Sequence, residues 1–261
     1  MARNNQKQND GLGGSIAEFI KTIFWAGLIA VGIHTFLFEP FYIPSGSMVP
    51  TLKVGDYIIV NKFAYGYSRY SFPFGPDLFS GRWPARMPPR GAVVVFRPPG
   101  AMNEDYIKRV IGLPGDTVQM RQGQLYINGK EVPRTDVGLY SDDSDGYGPP
   151  VLARDYLETL PGGRKHYILK RTNAPYTVEG IDPNNTPVYT VPPGDLFMMG
   201  DNRDDSEDSR FLDGPVGYVP IQNVIGPATY IFFSIDLKHP FWEFWYWPFE
   251  IRWDRMLKHI S

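Results

Sequence analysis

The 261-residue sequence has no cysteine, which removes disulfide bridges, thiolate metal sites and cysteine nucleophiles from consideration. Such a chain suits work outside a reducing compartment, without bridges to hold it. It also lacks an excess of basic charge. Lys and Arg number 26 against 28 Asp and Glu, a net charge of −2, so no positive field points to nucleic acid. Histidine is scarce, with His34, His166, His239 and His259 the only four. Long apolar runs are absent except for one near the amino terminus. Beyond residue 40 no sustained helical period occurs.

What is abundant is turn-forming and aromatic: 27 Gly, 25 Pro, 16 Tyr and 17 Phe, the composition of a loop-rich, mainly β protein. Short alternating or apolar runs at 56–63, 92–96, 105–111, 117–121, 124–127, 167–171, 196–199 and 228–234 read as strands. LYINGKEV, 125–132, carries Asn-Gly between β-prone flanks, a strong hairpin signal. Residues 65–90, rich in aromatics, Pro and Gly, are expected as an extended hairpin or loop. Residues 122–188 hold their own strands and the acidic stretch SDDSDGYGPP, 141–150, and read as a smaller inserted β domain. The main core is then discontinuous, 40–121 and 189–236.

The apolar run spans residues 22–38, seventeen residues without Asp, Glu, Lys or Arg. With 16–21 added it reaches about one bilayer crossing. Ser15 and Glu18 match a capping box, which predicts a helix start at 15 and a disordered segment over 1–14. A buried core helix is the alternative, but the run shows no polar face. No small-x-small cleavage site follows, so the segment over 15–39 reads as an uncleaved anchor and not a removed leader. Arg3, Lys7 and Lys21 precede it and Glu39 follows, which predicts a cytoplasmic amino terminus and an extracytoplasmic remainder. At the other end, FWEFWYWPFEIRW, 241–253, holds eight aromatics in thirteen residues, interrupted by charge and proline. Within a tail over 237–261 this reads as a surface resting on the bilayer, with core packing as the alternative.

Three segments could carry chemistry. In IPSGSMVPTL, 43–52, Ser45-Gly46-Ser47 is either a turn or the seat of a nucleophile, with Gly46 letting a backbone approach closely. A serine needs a base. None of the four histidines lies in a segment built as a catalytic turn or strand. Lysine is the other known base, provided that burial keeps it neutral part of the time. In EDYIKRVIGLPGD, 104–116, strand alternation puts Tyr106, Lys108 and Val110 on one face and Arg109 on the other, as an ion-pair partner. Lys108 is either that base or a lysine snorkelling from an edge strand. GDNRDDSEDSR, 200–210, holds five acids and two arginines. It fails as a calcium loop, because positions three and six from Asp201 are Arg203 and Ser206. It is then a solvated charged turn, or a polar scaffold beside an active site.

Taken in order behind an amino-terminal anchor, SGSMVPTL, RGAVVVFRPP, YIKRVIGLPGD and GDNRDDSEDSR closely resemble the motifs of bacterial type I signal peptidases. The resemblance runs from residue 40 to about 227. It implies a fold of two antiparallel β-sheet domains after a transmembrane helix, and cleavage of preprotein signal peptides after small residues. Carried over by position, Ser47 is the nucleophile and Lys108 the general base. Ser45 lends its hydroxyl to the oxyanion hole beside the Ser47 N–H. Ser206 orients the lysine amine, Asp208 and Arg210 form a structural ion pair, and Asp201 and Arg109 are scaffold charges. Family members often have a small or amide residue where this chain has Asp205, which is therefore expected to point outward. The resemblance implies no metal or other cofactor, and signal peptides as partners; membrane lipid is the further partner expected from the anchor and the aromatic tail, and a monomer is expected.

Overall fold

The computed structural model describes residues 10–72, 75, 80–101, 103–140, 153–171, 181–236, 239 and 242–261, with backbone alone for 10–15 and 17. One long helix, α1 (Asp10–Phe36), precedes a chain of strands. The strands are β1 (Phe38–Tyr42), β2 (Asp56–Asn61), β3 (Val93–Phe96), β4 (Tyr106–Gly112), β5 (Thr117–Arg121), β6 (Gln124–Ile127) and β7 (Lys130–Glu131). They continue with β8 (Arg134–Tyr140), β9 (Ala153–Thr159), β10 (Lys165–Arg171), β11 (Tyr189–Thr190), β12 (Asp195–Met199), β13 (Val219–Pro220), β14 (Val224–Ser234) and β15 (Lys258–His259). The mainly β expectation holds.

The helix starts earlier than the capping box suggests. Once a helix is nucleated, each added residue gains a hydrogen bond without a new nucleation cost. The turn through Asp10–Gly14 can therefore join α1, and Ser15 lies inside the helix and not at its cap. Glu18–Phe36 is long and apolar enough to cross a membrane, and none of that window is buried against the rest of the chain.

The large sheet runs β1-β2-β14-β3-β4-β12-β13, every neighbour antiparallel, with β15 on β14 opposite β2. Both faces of its centre are covered, so β3 is apolar at all four positions. Val93 and Val95 pack with Ile43, Met48, Leu52, Ile58 and Val60. Val94 and Phe96 pack with Val110, Leu196 and Met198. Two smaller sheets, β11-β5-β6-β7 and β10-β9-β8, complete the described strands. The first is not independent of the large sheet, because Val118, Met120, Leu125 and Ile127 share a core with Phe197 and Met199 of β12.

The Asn128-Gly129 hairpin forms, with φ of 54° and 71°, the positive values a type I′ turn requires. Residues 65–90 carry only a short 3-10 turn and one bridge, Tyr67 to Trp83, among the described residues. The acidic stretch 141–150 lies outside the described residues. Six strands lie outside the expected runs: β1, β8, β9 and the two-residue β11, β13 and β15. β1 contains Glu39 and Pro40, and the proline is tolerated because, among the described residues, β1 ends the sheet and pairs on one side only. β8 and β9 are charge-rich, with a register shift near Gly138.

Candidate active site

Ser47 stands in a single 3-10 turn, Gly46–Met48, entered and left in extended conformation at Ser45 and Val49. Pro50 disfavours helix at Val49, which limits the turn on its carboxyl side. Met48 and Leu52, both fully buried, peg it to the core. Gly46 has no positive φ, and a methyl built there would meet only Val49 Cγ2 at 3.7 Å. The expectation that close backbone approach within the protein demands this glycine is therefore not met.

Lys108 is no edge lysine. β4 is paired with β3 on one side and β12 on the other, and Lys108 is 4% exposed. Its Nζ donates to Ser47 Oγ at 2.6 Å. Burial pulls the amine down from 10.5 to about 8; Asp208 works against this, and Arg210 with it. Ser45 Oγ lies 3.5 Å from Ser47 Oγ. β12 ends beside Lys108, because its last residue, Met199, pairs with Arg109. The acidic loop therefore begins at the dyad.

That loop is a scaffold and not a solvated turn. Asp201 is buried and takes Arg109 bidentately, Nε to Oδ1 at 2.8 Å and Nη2 to Oδ2 at 2.7 Å. Thr51 Oγ1 also donates to Asp201 Oδ2, at 2.5 Å, tying the loop to the nucleophile segment. Burial alone would raise the Asp201 carboxyl, but the Arg109 guanidinium outweighs it and holds it below the ordinary range. Asp208 pairs with Arg210 (Nε to Oδ1, 2.8 Å) and accepts the Gly200 N–H at 3.0 Å. Asn202 clasps the nucleophile turn twice, through its N–H to Ser47 O and its Nδ2 to Gly46 O, both at 3.1 Å. Asp205 is exposed and lies 3.5 Å from Arg171, yet it also lines the cleft that holds Ser47 and Lys108.

Ser206 is buried beside the dyad, yet its Oγ has no hydrogen-bond partner among the described residues. The orienting bond to Lys108 is not made here. The two serines nevertheless crowd one glycine: a Cβ on Gly200 would fall 2.2 Å from Ser206 Oγ and 2.5 Å from Ser47 O.

Among the described residues the recorded contacts of Ser47 Oγ are with Lys108 and Ser45, and none is with a histidine. His166 is buried between Glu158 (3.4 Å) and Asp201 (3.9 Å), and burial lowers it to about 4. His239 pairs with Glu250, and His259 packs on Tyr230. Thr51, Asn202 and the buried Glu158–Arg203 pair carry no signal in a linear reading. Glu158 reaches Arg203 from β9, 45 residues away.

The dyad opens into a cleft of about 360 Å³. Phe41, Tyr42, Ile43, Val95 and Ile107 give it apolar walls, and Glu104, Asp105, Asp205 and Glu207 line it as well. A family model described as signal peptidase, peptidase S26, matches residues 16–233. The chain belongs to this family. Signal peptidase I of Rickettsia typhi (strain ATCC VR-144 / Wilmington) is 43% identical over 240 residues, 91% of this chain and 86% of the relative. That of Rickettsia akari (strain Hartford) is 45% identical over 213 residues, 80% of this chain and 77% of the relative. A solved signal peptidase I from Enterococcus faecalis V583 is 28% identical and covers 55% of this chain and 98% of its own, at a TM-score of 0.30. Family membership stands on the sequence match. The aromatic segment near the carboxyl end lies beyond residues 16–233, which the family model matches.

Proposed function

We propose that this chain is a membrane-anchored serine endopeptidase that removes signal peptides from exported preproteins, with Ser47 as nucleophile and Lys108 as general base. The observation that carries this reading is the 2.6 Å contact between Ser47 Oγ and a buried lysine amine lowered to about 8. A neutral Lys108 takes the Ser47 proton as Oγ attacks the scissile carbonyl. The Ser45 hydroxyl and the Ser47 N–H then hold the oxyanion. Lys108 protonates the leaving amine and later activates the water that releases the acyl group. Ser206 is the hydroxyl that receives the amine as it swings off Ser47. Asp201 with Arg109, and Asp208 with Arg210, keep the loop that frames it in place.

An extended peptide adds along the Phe41–Ser45 side of the cleft, where apolar walls suit small side chains at alternate positions. Helix α1 anchors the chain with its amino terminus in the cytoplasm and residues from 40 onward on the far side. The protein acts as a monomer; within 122–188, β6 and β7 share a sheet with β5 and β11 of the core segments, and β8, β9 and β10 form a sheet of their own.

The aromatic segment is the proposed lipid contact. Trp242, Phe244, Trp245 and Phe249 are exposed, Phe249 by 87%. The residues after it return to the core: Arg255 pairs with buried Asp56, β15 joins β14, and Ile260 is buried.

The test is cleavage of a preprotein in detergent by wild type, Ser47→Ala, Lys108→Ala and each His→Ala variant. Loss in the first two with retention in the histidine variants is expected. Activity surviving Lys108→Ala but lost in one histidine variant would sink the Ser-Lys mechanism.

A further inference from the structure

A helix leaves its last carbonyls without partners of its own. At the end of α1 the β structure supplies them. The Tyr67 hydroxyl donates to Phe36 O at 2.6 Å, the Lys62 N–H to Leu37 O at 3.0 Å, and Lys62 Nζ to His34 O at 3.4 Å. Lys62 is 1% exposed and pairs with Glu39 Oε2 at 3.1 Å, while the other Glu39 oxygen lies 4.0 Å from His34 Nε2. Phe36 packs edge-on against Phe72, which stacks on Tyr67.

The proposed reaction uses none of these groups. Burying a lysine is costly unless it is paired, and a loose tether would need no such pair. Only Leu37 separates α1 from β1, where a flexible connection would be a run of Gly and Ser. β1 spans roughly 17 Å. It carries Phe41 and Tyr42 into the cleft wall, and Ser47 follows one short turn later.

We propose that Lys62 and Glu39 are positioning residues that lock the last turn of the membrane helix to β1 and β2. The lock holds Ser47 at a set height above the bilayer and so selects which bond of a membrane-held substrate is cut. This rests on the anchored-protease reading above. Glu39 sits on the strand and Lys62 just after β2, so their ion pair closes the corner where α1 meets the sheet. Removing either partner frees the helix to tilt while leaving the dyad untouched.

The test uses the full chain in liposomes with preproteins whose apolar segment is lengthened one leucine at a time, about 1.5 Å per step. A short soluble peptide spanning the same cleavage site is the parallel substrate. Lys62→Met, Glu39→Gln and a Gly-Ser-Gly insertion between Phe36 and Leu37 are compared with wild type; the insertion loosens the junction without touching the buried pair. For wild type, cleavage should have a sharp optimum, falling about tenfold over a few leucines, as misplaced reacting groups do. All three variants should flatten that dependence and cut at secondary sites. Their peptide rates should stay within about twofold of wild type, since no cleft group is altered. Variants that keep the wild-type optimum, or that lose peptide and preprotein cleavage equally, would overturn the inference. A wild type inactive on both substrates would overturn the protease reading, and this inference with it.

Discussion

Lys108→Met separates the charge of the lysine from its shape. In the folded chain the amine loses its proton near 8; unfolded, it keeps it to about 10.5. Below pH 8 both states bind the proton, and the folded state carries the full penalty of a buried charge. That difference is worth about 3–4 kcal/mol at 1.4 kcal/mol per pH unit. Between 8 and 10.5 the unfolded state binds more protons, so raising the pH stabilises the folded wild type and the penalty fades. Methionine removes the charge and gives up the Ser47 hydrogen bond, worth about 1 kcal/mol. The variant should therefore be more stable than wild type at pH 6 by about 2–3 kcal/mol, with the gap closing above pH 8. Denaturant unfolding of both proteins in the same detergent at pH 6, 8 and 10 measures this. The same value predicts that wild-type kcat/KM rises about tenfold per pH unit below 8 and levels above it. A Met variant less stable than wild type at pH 6, or a wild-type activity flat from pH 6 to 9, would refute the buried-base reasoning.

Gly200→Ala should abolish cleavage and lower the melting temperature, because the new methyl would collide with Ser206 and with Ser47 O, whereas Gly46→Ala should melt like wild type. Asp201→Ala leaves the Arg109 guanidinium buried without its partner and should cost about 3–5 kcal/mol in denaturant unfolding. Ser206→Ala loses no hydrogen bond made here, so melting should be unchanged; cleavage should fall about 10- to 100-fold if the hydroxyl receives the amine during reaction. Replacing Trp242, Phe244, Trp245 and Phe249 with serine should weaken liposome binding of the chain lacking α1. Truncation after Asp236 would instead strip Arg255 and β15 from the core and report on folding.

Much of the fold was legible because it is local. Thr117–Arg121 and Gln124–Ile127 alternate strictly, and Asn128-Gly129 can adopt the positive φ their hairpin needs. β1 and β9 were not legible. Glu39 and Pro40 argue against a strand until the open edge of the sheet is known, and Glu158 looks like a surface charge until Arg203 arrives beside it. The capping box misled because a helix already formed can extend past a good cap.

The sequence alone determined the chemistry on offer: no thiol, one apolar helix, and a serine, a lysine and an acidic loop in a recognisable order. These follow from residue type and short-range periodicity. Tertiary structure decided what that chemistry can do. Lys108 could equally have snorkelled from an edge; pairing on both sides buries it and brings it to Ser47 across 61 residues. Five acids read as a solvated turn until Arg109 and Arg210 neutralise Asp201 and Asp208 in the interior. Burial and partnership are properties of the whole sheet, and they turn an ordinary lysine into a candidate base.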